Sequence, residues 1–151
     1  MHIGVPLSGS NIRAKGCISI RRMNKKSECE VIGDISCNLI QIRHLGHVTT
    51  AEMKACIEKV ERLLPAMRAG FTLLTDLSGL DSMELDCASD LGRMMDACKA
   101  TGIGTAVRII PDQSKDTGLS ILALVHYRRR VQVITCQDAS EAERALGHLR
   151  R

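Results

Sequence analysis

Acids, hydroxyls and a thiol crowd one stretch of the chain, LLTDLSGLDSMELDCAS at residues 73–89. There Asp76, Ser78, Asp81, Ser82, Asp86, Cys87 and Ser89 stand within a few positions of one another. Carboxylates beside serine or cysteine are the raw material of general acid–base and nucleophilic catalysis. A nucleophile also needs a base within reach and an acid to orient that base. His126, flanked by Val125 and Tyr127, reads instead as a partly packed helix position, and no Gly-x-Ser-x-Gly elbow occurs. The five-residue spacing of Asp76, Asp81 and Asp86 crosses a strand end, a turn and a helix start, so it is no catalytic period. Asp81 with Glu84 reads as a capping box, and Asp86 as a first-turn charge facing the helix dipole.

Other motifs carry less. TGIGTAV contains Gly102-x-Gly104, but it lies between a helix and a strand, whereas a phosphate loop must run from strand to helix. A helix C-cap at Gly102 explains it. His44 and His47, with Cys37 upstream, have the spacing of a metal pair. They straddle the Gly46 bend and need not converge, so exposed loop histidines are expected and no metal site or cofactor is assigned. Arg128, Arg129 and Arg130 suit a helix C-terminus and offer an anion or partner contact. Asp112, Ser114 and Lys115 follow a strand and lead into a helix, on the edge where parallel sheets bind ligands.

The 151 residues suffice for one buried core, and with one Phe, one Tyr and no Trp that core must be aliphatic. The same scarcity argues against nucleic acid, because single-strand platforms stack bases on aromatic faces. The net charge of +4 is uneven: residues 1–27 carry six basic residues and no acid, and the remainder is −2. The first segment reads as a solvated basic tail or one extra strand, and 28–151 as a single α/β domain. Seven cysteines with no C-x-x-C pair, no secretory signal and no run of about 18 apolar residues point to reduced thiols in a cytoplasmic protein away from membranes.

The elements that must position these residues follow a regular order. CEVIGD and CNLIQIRHLG form a hairpin about Gly33–Asp34, and in the second run Ile40, Ile42 and His44 share a face. CISIRR before them reads as a further strand. Met53, Cys56, Ile57, Val60, Leu63, Leu64 and Met67 make an amphipathic helix, started by a Thr49–Glu52 capping box and ended near Pro65 and Gly70. FTLLTDL (71–77) is a strand apolar on both faces, Leu85–Ala100 a helix, TAVRIIP (105–111) a strand and Lys115–Tyr127 a helix. VQVITC (131–136) is a strand, and DASEAERALGHL a helix capped by Asp138 and Glu141. The order β-β-α-β-α-β-α-β-α predicts a single mixed, mostly parallel sheet of four to five strands with about four helices.

This order, with LLTDLSGLDSMELD, KATGIGTAVRII and CQDASEAERAL, resembles the STAS domain (sulfate transporter and anti-sigma factor antagonist) over Glu28–Leu149. The resemblance implies a non-enzymatic, bacterial signalling module that binds a protein partner of the anti-sigma factor or kinase type, with a homodimer left open. In antagonists of that family a serine at the N-terminus of the helix after this strand is phosphorylated. The family shows Asp-Ser/Thr-Ser-Gly there; this chain has Asp81-Ser82-Met83-Glu84 or Asp86-Cys87-Ala88-Ser89, so the turn is altered. The alternative is a domain of the same fold that binds a small anionic or lipid-like ligand in a cleft lined by Met83, Met94, Met95 and Leu119.

Overall fold

The opening hairpin consists of β1 (Cys29–Asp34) and β2 (Leu39–Val48), antiparallel, with Cys29 opposite His44 and Asp34 opposite Leu39. In the computed structural model, which describes residues 29–112, 122–123, 125–128 and 130–149, Gly33 and Asp34 end β1 instead of forming the turn. The turn is 35–38. Asp34 Oδ1 organises it, accepting from Ser36 Oγ at 2.9 Å and from the Cys37 amide at 3.1 Å, and Asn38 takes the left-handed backbone (φ 54°) that closes it. Gly33 serves packing: a Cβ there would lie 2.7 Å from Leu63 Cδ2, so the following helix rides close over β1.

That helix, α1 (Thr50–Leu63), starts at the expected capping box. Thr49 Oγ1 accepts from the Glu52 amide at 3.2 Å, and Glu52 Oε1 accepts from the Thr49 amide at 2.8 Å. A 3-10 turn at Leu64–Ala66, with Pro65 inside it, finishes the helix. β3 (Thr72–Met83), α2 (Cys87–Thr101), β4 (Thr105–Ile109), β5 (Gln132–Cys136) and α3 (Ala139–Leu149) follow. Residues 122, 123 and 125–127 are helical, part of the helix expected before β5. Gly102 ends α2 in the left-handed conformation (φ 98°), its N–H donating to the Cys98 and Lys99 carbonyls. The expected strand CISIRR lies outside the described residues, as do Ser114, Lys115, Leu119 and Arg129.

The five strands stand in the order β1-β2-β3-β4-β5, parallel from β2 onward and antiparallel only at β1. The α/β expectation of one mixed sheet with an opening hairpin therefore holds. Strand alternation sends Ile40, Ile42, Leu73 and Ala106 to one face, against α1, α2 and Tyr127. Leu39, Leu74, Val107 and Ile109 go to the other, against Ala142 and Leu146 of α3. Cys29, Cys56, Cys87, Cys98 and Cys136 are free thiols, four of them buried as small apolar groups. Cys37 departs from the reduced-thiol reading: it is disulfide-bonded. An odd cysteine count rules out pairing of all seven thiols, not pairing of two.

Candidate functional site

Of the stretch expected to be a turn, 78–84, residues 78–83 are strand. β2 runs ten residues and pairs along the whole of β3: Leu45 stands opposite Gly79, His47 opposite Ser82 and Val48 opposite Met83. Register shifts after Arg43 and after Gly46 absorb the irregularity as bulges. Gly79 permits this, because a Cβ on it would run into Leu45 Cδ2. Asp81 is consequently an exposed strand residue, and the capping box read from Asp81 and Glu84 does not exist. Glu84 caps the other helix. Its Oε1 accepts from the Thr50 amide at 2.7 Å, at the start of α1, while its own amide donates to the Val48 carbonyl at 3.0 Å.

Each remaining residue of the stretch has a structural partner or an open face. Asp76 Oδ1 accepts from the Ser78 amide at 2.9 Å and from Ser78 Oγ at 2.6 Å, and its other oxygen lies 4.0 Å from Arg43 Nε. Ser82 Oγ is 2.6 Å from His47 Nδ1, both at the surface. Asp86 occupies the N-cap position of α2, exposed, with no cap bond from its carboxylate. Cys87 is 0% exposed, its Sγ 3.9 Å from the Val48 carbonyl. Burial, then Asp90 and Glu84, push its thiol up, the opposite of what a nucleophile requires. Ser89 is exposed in the first turn, its hydroxyl donating to the Asp86 carbonyl at 3.2 Å. Asp90, buried beside them, is held by Lys54 Nζ at 3.2 Å from both carboxylate oxygens. Leu85, at the head of α2, is 93% exposed. Its exposure escaped the sequence reading because it follows from the helix beginning two residues later than the pattern predicts.

The two basic and polar groups divide between opposite edges of the sheet. Asp112 follows β4, whose last residue Ile109 pairs with Asp76, so it lies on the same edge as the β3 end. Arg128 and Arg130 precede β5, at the opposite edge. Arg128 (φ 51°) donates Nε to the Val125 carbonyl at 3.3 Å, and the Arg130 amide donates to the Tyr127 carbonyl at 2.9 Å. Both close the end of the preceding helix, as cations at a helix C-terminus do.

A narrow apolar cleft opens between the sheet, α2 and the helical residues before β5. Met83, Met94 and Met95 line it with Leu73, Leu77 and Tyr127. Arg108 also reaches it, with Nη2 donating to Thr135 Oγ1 at 2.8 Å. Burial pushes the Tyr127 hydroxyl up, so that group stays neutral.

The histidines do not match their expected places. His47 is at the surface, but His44 is buried in β2 on the face it shares with Ile40 and Ile42, so its reading as an exposed loop residue is wrong. The strand alternation already signalled that face. Opposite it in β1 is Cys29, and Cys56 of α1 approaches from above. The Cys56 thiol, aided by His44 and Lys59 and opposed by burial, holds Cys29 down to about 5, and Cys56 itself is pushed up by the same contact.

A parallel sheet opened by one antiparallel strand, with helices on both faces, defines a STAS-like α/β fold. Solved structures agree on the particular version of it: this chain has the SpoIIAA-like fold. It is similar to an uncharacterised protein of the DUF3478 family with a SpoIIAA-like fold from Shewanella loihica PV-4. That likeness has a TM-score of 0.60 and 14% identity, over 78% of this chain and 93% of that one. It is also similar to the anti-sigma factor antagonist SpoIIAA in its unphosphorylated form, with a TM-score of 0.56 and 14% identity, over 81% of this chain and 97% of that one. No protein-family model matches the sequence, and no curated protein matches it. No helix among the described residues is long and apolar enough to cross a membrane.

Proposed function

We propose that the protein is a regulatory, non-enzymatic interaction module of the cytoplasm of a bacterium, whose partner docks on the edge made by the end of β3 and the start of α2. The observation that carries this reading is Leu85, a large apolar side chain 93% exposed, between Ser82 and Ser89. Burying a leucine at an interface contributes about 1.5–3 kcal/mol, enough to anchor a docking surface. Asp81, near the end of β3, and Asp86, at the N-cap of α2, are exposed acids on either side of it in the chain. The likeness to an anti-sigma factor antagonist supports a partner of the anti-sigma factor or kinase type.

Phosphate control, if carried over, belongs on Ser89 before Ser82. Ser89 sits in the first turn of α2, where the helix dipole favours negative charge. Ser82 is on a strand, its hydroxyl engaged by His47 and its neighbours Asp81 and Glu84 acidic. Cys87, buried, takes no part. The methionine-lined cleft is the place for the second reading, a small lipid-like ligand, and at about 30 Å³ it must open between α2 and the sheet to admit one.

The test compares full-length protein with Leu85→Asp and Leu149→Asp in capture from the source cell. The interaction reading expects a partner lost with Leu85→Asp and kept with Leu149→Asp. The same partner captured equally by all three proteins refutes the proposed edge. Mass spectrometry of the captured protein expects phosphate at Ser89; phosphate on neither Ser89 nor Ser82 removes the phosphorylation part.

A further inference from the structure

Cys29, His44 and Cys56 are distant in sequence and meet under α1, away from the proposed docking edge. Cys29 and His44 are direct partners in the antiparallel β1–β2 pair. Cys56 comes from the buried stripe Met53, Cys56, Ile57 and Val60 of α1. One ligand atom from each residue, two sulfurs and a ring nitrogen, lies within 4.8 Å of the other two. His44 is 1% exposed, and neither ring nitrogen has a hydrogen-bond partner. A buried imidazole normally has a partner, and the polar groups this cluster offers it are the Cys29 and Cys56 sulfurs.

We propose that Cys29 Sγ, Cys56 Sγ and one ring nitrogen of His44 bind a thiophilic d10 metal ion, Zn2+ or Cu(I). Sulfur and nitrogen ligands around such an ion stand about 3.5–4 Å apart, so the cluster must contract by about 1 Å or less. Side-chain rotation of Cys29, on the edge strand and only half-buried, supplies that movement and gives the ion its path in. Thiolate with neutral imidazole selects Zn2+ or Cu(I) over the hard cations Mg2+ and Ca2+, which take oxygen. Each sulfur that is still protonated gives up its proton to solvent as it ligates the ion, and no group is oxidised or reduced. With Zn2+, two thiolates and a neutral histidine leave no net charge in the apolar surroundings. Among the described residues three groups form the cluster, which leaves one position of a tetrahedral ion for a solvent molecule.

The test uses the full chain, reduced, stripped with a chelator and exchanged into metal-free buffer. Zn2+ and Cu(I) are titrated separately against chromophoric chelators, and Co2+ serves as a spectroscopic probe. The proposal expects one equivalent bound and an intense near-ultraviolet thiolate-to-cobalt band. Cys29→Ser, Cys56→Ser and His44→Gln should each weaken binding on the order of 10–100-fold or more, and Cys98→Ala should not. A second readout needs no variant: saturating metal should shield Cys29 and Cys56 of the native chain from alkylation, mapped by mass spectrometry. Preference for Zn2+ or for Cu(I) identifies the ion, and either supports the site. Absence of the cobalt band, equal affinity in Cys29→Ser and Cys56→Ser, or alkylation of both thiols unchanged by metal overturns it.

Discussion

Replacing Gly92 with alanine should change sign with the residue at position 126. In an exposed helix interior, Gly→Ala stabilises by about 1 kcal/mol. At Gly92 the new Cβ would meet His126 Nε2 at 2.5 Å and Cε1 at 2.7 Å, so the ring must move by about 1 Å to restore ordinary contact. The ring is not free to swing, because its Nδ1 is 2.8 Å from Asp96 Oδ1. Giving up that bond costs about 0.5–1.5 kcal/mol, and residual overpacking brings the total penalty to about 1–3 kcal/mol. Gly92→Ala alone should therefore be neutral to destabilising by about 2 kcal/mol. In a His126→Ala background the obstacle is gone, and the same change should stabilise by about 1 kcal/mol. Urea unfolding of the four proteins gives the coupling from the midpoints, provided the slopes agree. Equal stabilisation by Gly92→Ala in both backgrounds would show that the helix bearing His126 does not press on α2 as described. That helix also carries Tyr127, so the same cycle tests one wall of the cleft.

Glu84→Ala should cost about 0.5–2 kcal/mol and raise amide exchange at Thr50, since it removes an acceptor from the start of α1. Thiol alkylation at neutral pH should modify Cys29 before the other described free thiols, because among them it alone is half-exposed and held down to about 5, and should leave Cys87 and Cys98 to react only on unfolding. The fold should weaken in alkali. Burial pushes Cys98 from 9.0 to about 12 and raises Cys87 and Tyr127, so the unfolded chain loses those protons first. Their contribution is complete below about pH 8.5 and falls as the pH climbs toward 12, and Cys98→Ala should flatten that fall in urea midpoints.

Patterns repeated over many residues were legible in the sequence, and single contacts were not. The Met53–Val60 stripe, the Thr49–Glu52 box and the strand–helix alternation reproduce α1 and the sheet because each rests on several residues that agree. The methionines of the cleft were identifiable because Met94 and Met95 share the buried stripe of α2 with Leu91 and Cys98. The stretch after Leu77 misled because serine, glycine and aspartate are turn formers locally, whereas the length of β2 draws them into a bulged strand. Glu84 could not be assigned to α1 from sequence, since its partner Thr50 is 34 residues away. The Cys29–His44–Cys56 cluster needed the hairpin register, which the Gly33–Asp34 turn reading set wrongly; with the turn at 35–38, Cys29 falls opposite His44.

Photo-crosslinking in the source cell from a reactive side chain at position 85 tests the central claim most directly, with position 149 on α3 as the control. A docking edge at the head of α2 predicts a discrete protein adduct from position 85 and none from position 149. No adduct from 85, or the same adducts from both positions, would contradict it.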